Sequence, residues 1–313
     1  RQADHTRAFI KVQDGCNQFC SYCIIPYTRG RVRSRRPEDV EKEVRDLAEK
    51  GYQEIVLTGI HLSSYGTDFK EEHQDLLELT KQLHQISGVK RIRFGSLEPR
   101  LITEEFAREL SAMEKICPHF HLSLQSGCDA TLKRMNRHYT CEDYLYRCGI
   151  LRKYFEDPAI TTDVIVGFPQ ETEEEFAKTL AFIEKCGFAQ MHIFPYSIRP
   201  GTPAEKLHQL PKKVKEDRAR QVSSVAAAMR RSYLEGCVGQ VYPVLFEQPR
   251  DGKFSGHAPN YMEVLVEGEG LHNVVRRVRI TGTGGEALLG ELLEDAELSR
   301  ADVKQILKEL KEK

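Results

Sequence analysis

The stretch "DGCNQFCSYCIIPYTRGRVRSR", Asp14–Arg35, sets Cys16, Cys20 and Cys23 in a C-x3-C-x2-C spacing directly after the apolar run "AFIKV" (8–12). Arginines follow at 29, 31, 33, 35 and 36. A structural zinc site is usually closed by four ligands, often from paired C-x2-C units, and no second pair stands nearby. Three thiolates on a four-iron cubane leave one iron open. An open position is what a metal needs to bind a substrate rather than staple a fold. Three unligated core cysteines are the alternative, but Asn17, Gln18, Ser21 and Tyr22 are too polar for a core run.

Outward from this stretch, short apolar runs alternate with amphipathic segments. After "AFIKV" come "EIVLTG" (54–59), "RIRFGS" (91–96), "HFHLSLQ" (119–125), "TTDVIVGF" (161–168) and "MHIFPY" (191–196). Between them, "RPEDVEKEVRDLAEKG" carries Pro37 near its start and Gly51 at its end, as helices do. "TEEFARELSAMEK" offers Thr103 as N-cap, and "ETEEEFAKTLAFIEKCG" opens acidic and ends Lys-Cys-Gly, which suits the helix dipole and its C-cap. Six strand–helix units imply a parallel sheet with helices outside, curled by right-handed crossovers. Six are too few for an eight-fold barrel, so the expectation is an α/β partial (β/α)6 barrel over 1–231, with functional residues where strands end. Residues 211–231 read as one long basic helix. From Ser232 to about 297, short runs separated by Gly, Pro and Asn predict a small all-β barrel, followed by a helical tail at 298–313.

The 313 residues are 40% hydrophobic and 30% charged, with a net charge of −1. The charge is uneven. Residues 1–37 hold eight Arg/Lys against Asp4 and Asp14, and residues 205–231 hold eight against Glu205, Glu216 and Asp217. Such patches suit phosphate contact, although a solvated basic face explains them as readily. The segment 232–297 carries more acidic than basic residues, so phosphate contact there falls to the stripe Arg276, Arg277 and Arg279. Nine cysteines without regular pairing suit a reducing compartment, and no apolar run approaches the roughly 20 residues of a membrane span. The expected location is the cytoplasm, with no membrane and no DNA partner. The chain opens at Arg1 without a methionine, as a piece of something longer would.

C-x3-C-x2-C at the end of a first strand resembles the signature of radical S-adenosylmethionine enzymes. "KVQDGCNQFCSYCIIPYTRGRVRSR", "LTGIHLSSYG", "RFGSLEP", "LSLQSGCDATLKRMNRHYT", "DVIVGFPQETEEEF" and "FPYSIRPGTPA" together resemble the radical domain of the methylthiotransferases. The terminal all-β segment is similar to their TRAM domain, an RNA-binding barrel. "TGIHLSSYG" with "GSLEP" is most similar to the type acting on N6-threonylcarbamoyladenosine beside the anticodon of tRNA. The resemblance implies a [4Fe-4S] cluster on Cys16, Cys20 and Cys23, with one open iron holding S-adenosylmethionine. It also implies a second [4Fe-4S] cluster on an N-terminal domain absent from this chain, a tRNA anticodon arm as partner, and a flavodoxin- or ferredoxin-like electron donor.

Candidate cofactor-binding residues follow the strand ends. Gly59 lets backbone approach a ligand, and the resemblance implies contact with the methionyl end of the cofactor; a plain strand-ending turn is the alternative. Glu98 is placed to accept from the ribose or amino group, unless it is an ordinary loop carboxylate. Gln125 and Ser126 end the fourth run at the barrel mouth, where a buried amide needs a partner. Arg137 suits a bidentate pair with the cofactor carboxylate. Asp163 and Gly167 face either the adenosine or the core. His61, Tyr65 and Tyr196 are candidates to meet the target base, with packing at least as good a reading for each. Arg29, Arg31 and Arg33 alternate, so an extended segment would point them one way toward tRNA phosphates. No catalytic acid or base is assigned. Within the same chemistry, the alternatives are isopentenyladenosine in tRNA or a ribosomal-protein aspartate as substrate. From another class, a zinc-stapled, non-catalytic RNA-binding protein also fits.

Overall fold

The computed structural model of the chain describes residues 6–70 and 74–293; the expected tail helix at 298–313 lies outside them. The chain divides into two compact units. One ends at Gly236 and also takes in Pro259–Tyr261, and the other holds the remaining residues from Cys237 onward.

In the first unit the strands are β1 (Arg7–Asp14), β2 (Arg33–Ser34), β3 (Glu54–Gly59), β4 (Arg91–Phe94), β5 (His119–His121), β6 (Ala159–Val166) and β7 (Gln190–Pro195). The helices are α1 (Ile25–Thr28), α2 (Pro37–Glu49), α3 (Leu76–His84), α4 (Glu104–Ser111), α5 (Asp129–Arg134), α6 (Cys141–Tyr154), α7 (Glu173–Cys186) and α8 (Lys212–Gly236). All six expected apolar runs become strands. β1, β3 and β4 pair in parallel, as do β5, β6 and β7. Single bridges, Ile92–Ile116 and Leu97–Leu122, span the gap between the two sheets. The result is the partial barrel.

Side-chain alternation sorts this sheet into two faces. On β1, Ile10 and Val12 are buried toward the helices, while Phe9 is exposed in the lumen. Helix ends carry the caps that the sequence offers. The Thr103 hydroxyl accepts from Phe106 N at 3.1 Å. Thr172 and Glu175 form a reciprocal capping box, and Gly187 closes α7 in the left-handed conformation. Buried Arg218 ties α8 to the β6–α7 connection, donating to Glu171 Oε1 at 2.7 Å and Glu173 Oε1 at 2.6 Å. The basic excess of 205–231 is therefore partly spent inside the unit. Arg220 and Lys212 also pair, with Asp217 and Glu216. α8 runs five residues past the expected end at 231, to Gly236.

The second unit is a closed five-stranded barrel, ordered β10-β12-β11-β8-β9. Its strands are β8 (Val241–Arg250), β9 (Lys253–His257), β10 (Glu263–Val266), β11 (Val275–Gly284) and β12 (Ala287–Leu292). β9 has no long apolar run to mark it in the sequence. Its mark is Asp251-Gly252, both at positive φ (51° and 78°), the two-residue turn that joins twisted hairpin strands. On β11, Arg277 and Arg279 share the exposed face. Arg276 points the other way, half-buried, and donates to Leu293 O at 3.3 Å. The expected three-arginine stripe is thus two arginines, because neighbours on a strand face opposite sides.

Candidate active site

β1 leads straight into the cysteine loop, and the loop is tied down on two sides. At Gly15 (φ +69°) a Cβ would sit 1.9 Å from Arg31 O, so only glycine permits the return of the chain at 30–31. There Cys16 N donates to Gly30 O at 3.1 Å. Across the lumen, Ser21 N donates to Met135 O at 3.0 Å and Ser21 Oγ to Arg134 O at 2.7 Å. Asn136 Nδ2 donates to Phe19 O at 2.9 Å.

Cys16, Cys20 and Cys23 line one cavity of about 210 Å³ together with His61, Glu98, Gln125 and Arg137. Burial pushes the Cys16 and Cys23 thiols above their usual pKa. The Arg137 guanidinium donates to Cys20 Sγ at 3.1 Å and to Tyr139 Oη at 3.1 Å. Glu98 is buried and accepts from Arg100 Nε at 2.7 Å. Burial first, then the positive charges of Arg137 and Arg100, push His61 down to about 4, so its ring is neutral at physiological pH. Its Nδ1 lies 2.6 Å from Ser64 Oγ, and its Nε2 is buried with no hydrogen-bond partner among the described residues. Three thiols converging on a cavity with an unsatisfied ring nitrogen, a carboxylate and a guanidinium fit a thiolate-held cluster with a polar ligand beside it.

Other expected residues fall in different places. Gln125 adopts a left-handed backbone (φ +70°), a conformation that costs energy and collects at functional sites. It lines both the cysteine cavity and a neighbouring one of about 280 Å³ that also contains Tyr196 and Asp163. Ser126, next in sequence, turns away: it is fully buried, its hydroxyl 3.4 Å from Thr179 Oγ1. Gly167 (φ +66°) abuts Lys215, whose Cγ would lie 2.5 Å from an added Cβ. Asp163 engages His121 and His192. Tyr65 is core, its hydroxyl donating to Arg35 O at 2.8 Å. Arg29 caps the short α1, so the 29–33 segment is not extended throughout. Arg29 and Arg33 both approach Asp14, at 3.5 and 3.9 Å, while Arg31 lies over the Phe19 ring.

Gly59 has a local reason to lack a side chain. A Cβ there would lie 2.8 Å from Gln13 Oε1. Gln13 is buried; its Nε2 donates to Asp14 O and Gly15 O, each at 2.7 Å, and its Oε1 accepts from His61 N at 2.8 Å. The Gln13 amide therefore couples the cysteine loop to the loop carrying His61. Gly59→Ala should cost about 1–3 kcal/mol by overpacking. A Gln13→Ala background removes the amide oxygen but keeps the Gln13 Cβ and carbonyl oxygen, 3.0 and 3.2 Å from the added Cβ, so denaturant unfolding should show the cost reduced but not abolished. An undiminished cost in that background would show that the Gln13 amide is not the obstacle.

Comparison with known proteins supplies the chemical context. The Radical SAM superfamily model matches residues 10–183. The chain is 41% identical over 289 residues to "Threonylcarbamoyladenosine tRNA methylthiotransferase MtaB" of Bacillus subtilis (strain 168), covering 90% of the chain and 64% of that protein. Identity to the protein of the same name from Chlamydia pneumoniae is 40%, over 92% of the chain and 68% of the relative. A "tRNA-2-methylthio-N(6)-dimethylallyladenosine synthase" from Thermoanaerobacter sp. (strain X514) is 38% identical over 94% of the chain and 63% of that protein. The chain thus spans about two thirds of the length of these relatives. Among solved structures, coproporphyrinogen III oxidase (HemN) from Escherichia coli superposes with a TM-score of 0.54 over 98% of the chain and 75% of the oxidase, at 13% identity, a likeness of fold. The match of the family model across more than half the chain, and of the relatives across nearly all of it, shows that this chain belongs to the methylthiotransferase family of the radical SAM superfamily.

Proposed function

We propose that this chain carries the radical chemistry and RNA-facing parts of a tRNA methylthiotransferase that converts N6-threonylcarbamoyladenosine, beside the anticodon, to its 2-methylthio derivative. The observation that supports it most is the convergence of three cysteines, one ligand short of a closed site, on a cavity walled by His61, Glu98, Gln125 and Arg137. Relatives at 41% and 40% identity bear the name of that reaction. Cys16, Cys20 and Cys23 would hold a [4Fe-4S] cluster. Bound there, the cluster and S-adenosylmethionine would supply one-electron reductive cleavage of the sulfonium, with methionine as the leaving group.

The protein's own residues prepare that site. Arg137 places its guanidinium 3.1 Å from Cys20 Sγ, a positive charge beside the sulfurs that would hold the cluster. Glu98, held by Arg100, presents its remaining oxygen to the cavity for a ribose hydroxyl or the cofactor amine. Neutral His61 offers Nε2 as a hydrogen-bonding atom that needs a partner. Ile25, Ile60 and Leu97 add apolar surface to the wall, which would limit water at the reacting centre. Arg29, Arg33, Arg277 and Arg279 are the cations proposed to meet tRNA phosphates, with affinity falling as salt rises. The five-stranded barrel is read as a TRAM-type module. The sulfur is assigned to a second cluster on a further domain of the whole protein, the electron to a flavodoxin- or ferredoxin-like donor, and the location to the cytoplasm.

Mass spectrometry of nucleosides from tRNA of a strain lacking the gene tests the reading. The 2-methylthio derivative of N6-threonylcarbamoyladenosine should vanish while its precursor accumulates. Loss of the dimethylallyladenosine derivative instead, or no change, would overturn the assigned substrate.

A further inference from the structure

Inside the barrel, away from the cysteines, the inward faces of three neighbouring strands bring two imidazoles to one carboxylate. His121 on β5 is in register with Thr161 on β6, and Asp163 on β6 is in register with His192 on β7. His121 Nε2 lies 3.1 Å from Asp163 Oδ2, and His192 Nδ1 lies 3.0 Å from Asp163 Oδ1. The two rings stack at 5.8 Å between centroids. One ligand atom from each residue lies within 4.8 Å of the others. We propose that His121, Asp163 and His192 form a divalent transition-metal site in the lumen, separate from the cysteine cluster.

Four features carry this. Metal–ligand bonds of about 2.1 Å put neighbouring ligand atoms about 3.0–3.4 Å apart in octahedral or tetrahedral geometry, and the two carboxylate–imidazole edges have that spacing, each to its own carboxylate oxygen, as a carboxylate gripping the ion with both oxygens would place them. Two imidazoles with one carboxylate suit zinc and its iron, cobalt and nickel neighbours, and leave positions open for further ligands. His121 Nδ1 lies 2.9 Å from Thr161 Oγ1, the outer hydrogen bond that fixes the ring and aims the other nitrogen at the metal. Finally, the group is reachable. The group opens on a cavity of about 300 Å³, with the His192 side chain 54% exposed. The open positions face the lumen, where oxygen donors of a bound substrate would complete the coordination sphere.

The test separates this site from the cysteine cluster by reading zinc and iron independently. Cluster-loaded chain equilibrated with zinc and then dialysed should retain about one zinc per chain in addition to its iron. His192→Ala, at a half-exposed position that does not threaten the fold, should weaken zinc binding by more than about 100-fold, and Thr161→Val by about 10–100-fold. Iron content should not change in either variant. In the Cys16→Ala/Cys20→Ala/Cys23→Ala variant, zinc should still bind. Cobalt(II) there should give weak visible bands without the intense thiolate absorption. Should that variant fail to fold, the His192→Ala comparison in cluster-loaded chain decides alone. No zinc beyond background in cluster-loaded chain, or zinc binding unaffected by His192→Ala, would overturn the proposal and leave a hydrogen-bonded His–Asp–His group.

Discussion

Cys20→Ala should take the anaerobically reconstituted chain from about four irons to near none, and cofactor cleavage to background, while the chain stays folded. Cys20 lies between the other two cysteines in the loop, its sulfur 3.1 Å from the Arg137 guanidinium. Removing one buried thiol costs only about 1 kcal/mol of packing. The loop itself is held elsewhere, by Ser21 on Arg134 and Met135 and by Asn136 on Phe19. Ligand loss and fold loss are therefore separable. Circular dichroism should show native secondary structure in the same sample that has lost its visible absorption. Retention of about four irons by Cys20→Ala would show that the cluster sits elsewhere. A single zinc that is lost in Cys20→Ala, with no colour in the unaltered chain, would favour the non-catalytic, zinc-stapled reading.

Glu54→Ala should destabilise the first unit by about 3–5 kcal/mol, the cost of stranding buried charges. The Glu54 carboxylate is fully buried and accepts from Arg7 Nε at 2.7 Å and Arg93 Nε at 2.8 Å, with Arg91 Nη1 at 3.5 Å. Burial alone would raise its pKa, but the charges of Arg93 and Arg7 outweigh that and hold it well below the usual carboxylate range. A depressed pKa adds stability that is full above the unfolded value of about 4.3 and lost only as pH falls through the lower folded value. Wild-type stability should thus keep this contribution at neutral pH and down into mild acid, and Glu54→Ala should lack it throughout. Guanidinium unfolding at neutral pH measures the difference. A change under about 1 kcal/mol would mean that the arginines find other partners or water.

Much of this was legible in the sequence because local signals agreed with the fold. The six strands announced themselves as apolar runs, and Pro37, Thr103, Thr172 and Gly187 stand at the helix ends where cap chemistry puts them. The site was less legible, since facing direction depends on register and backbone twist. Gln125 and Ser126 look equivalent in sequence, yet the left-handed turn at Gln125 leaves it on the cavity and buries Ser126 against Thr179. Gly59 suggested ligand contact; its nearest obstacle is Gln13. Arg276 could not share a face with Arg277 and Arg279 once β11 was a strand, a parity argument available from the spacing alone. His121 and His192 were passed over because they lie 71 positions apart, and only the parallel pairing through β6 brings both to Asp163.

Reductive cleavage of S-adenosylmethionine in the cysteine cavity, as proposed, is tested most directly by product analysis. Chain reconstituted anaerobically with iron and sulfide, then mixed with dithionite and S-adenosylmethionine, should form 5′-deoxyadenosine and methionine in equal amounts, with none from Cys20→Ala. Absence of 5′-deoxyadenosine from chain that carries about four irons and binds the cofactor would contradict the account.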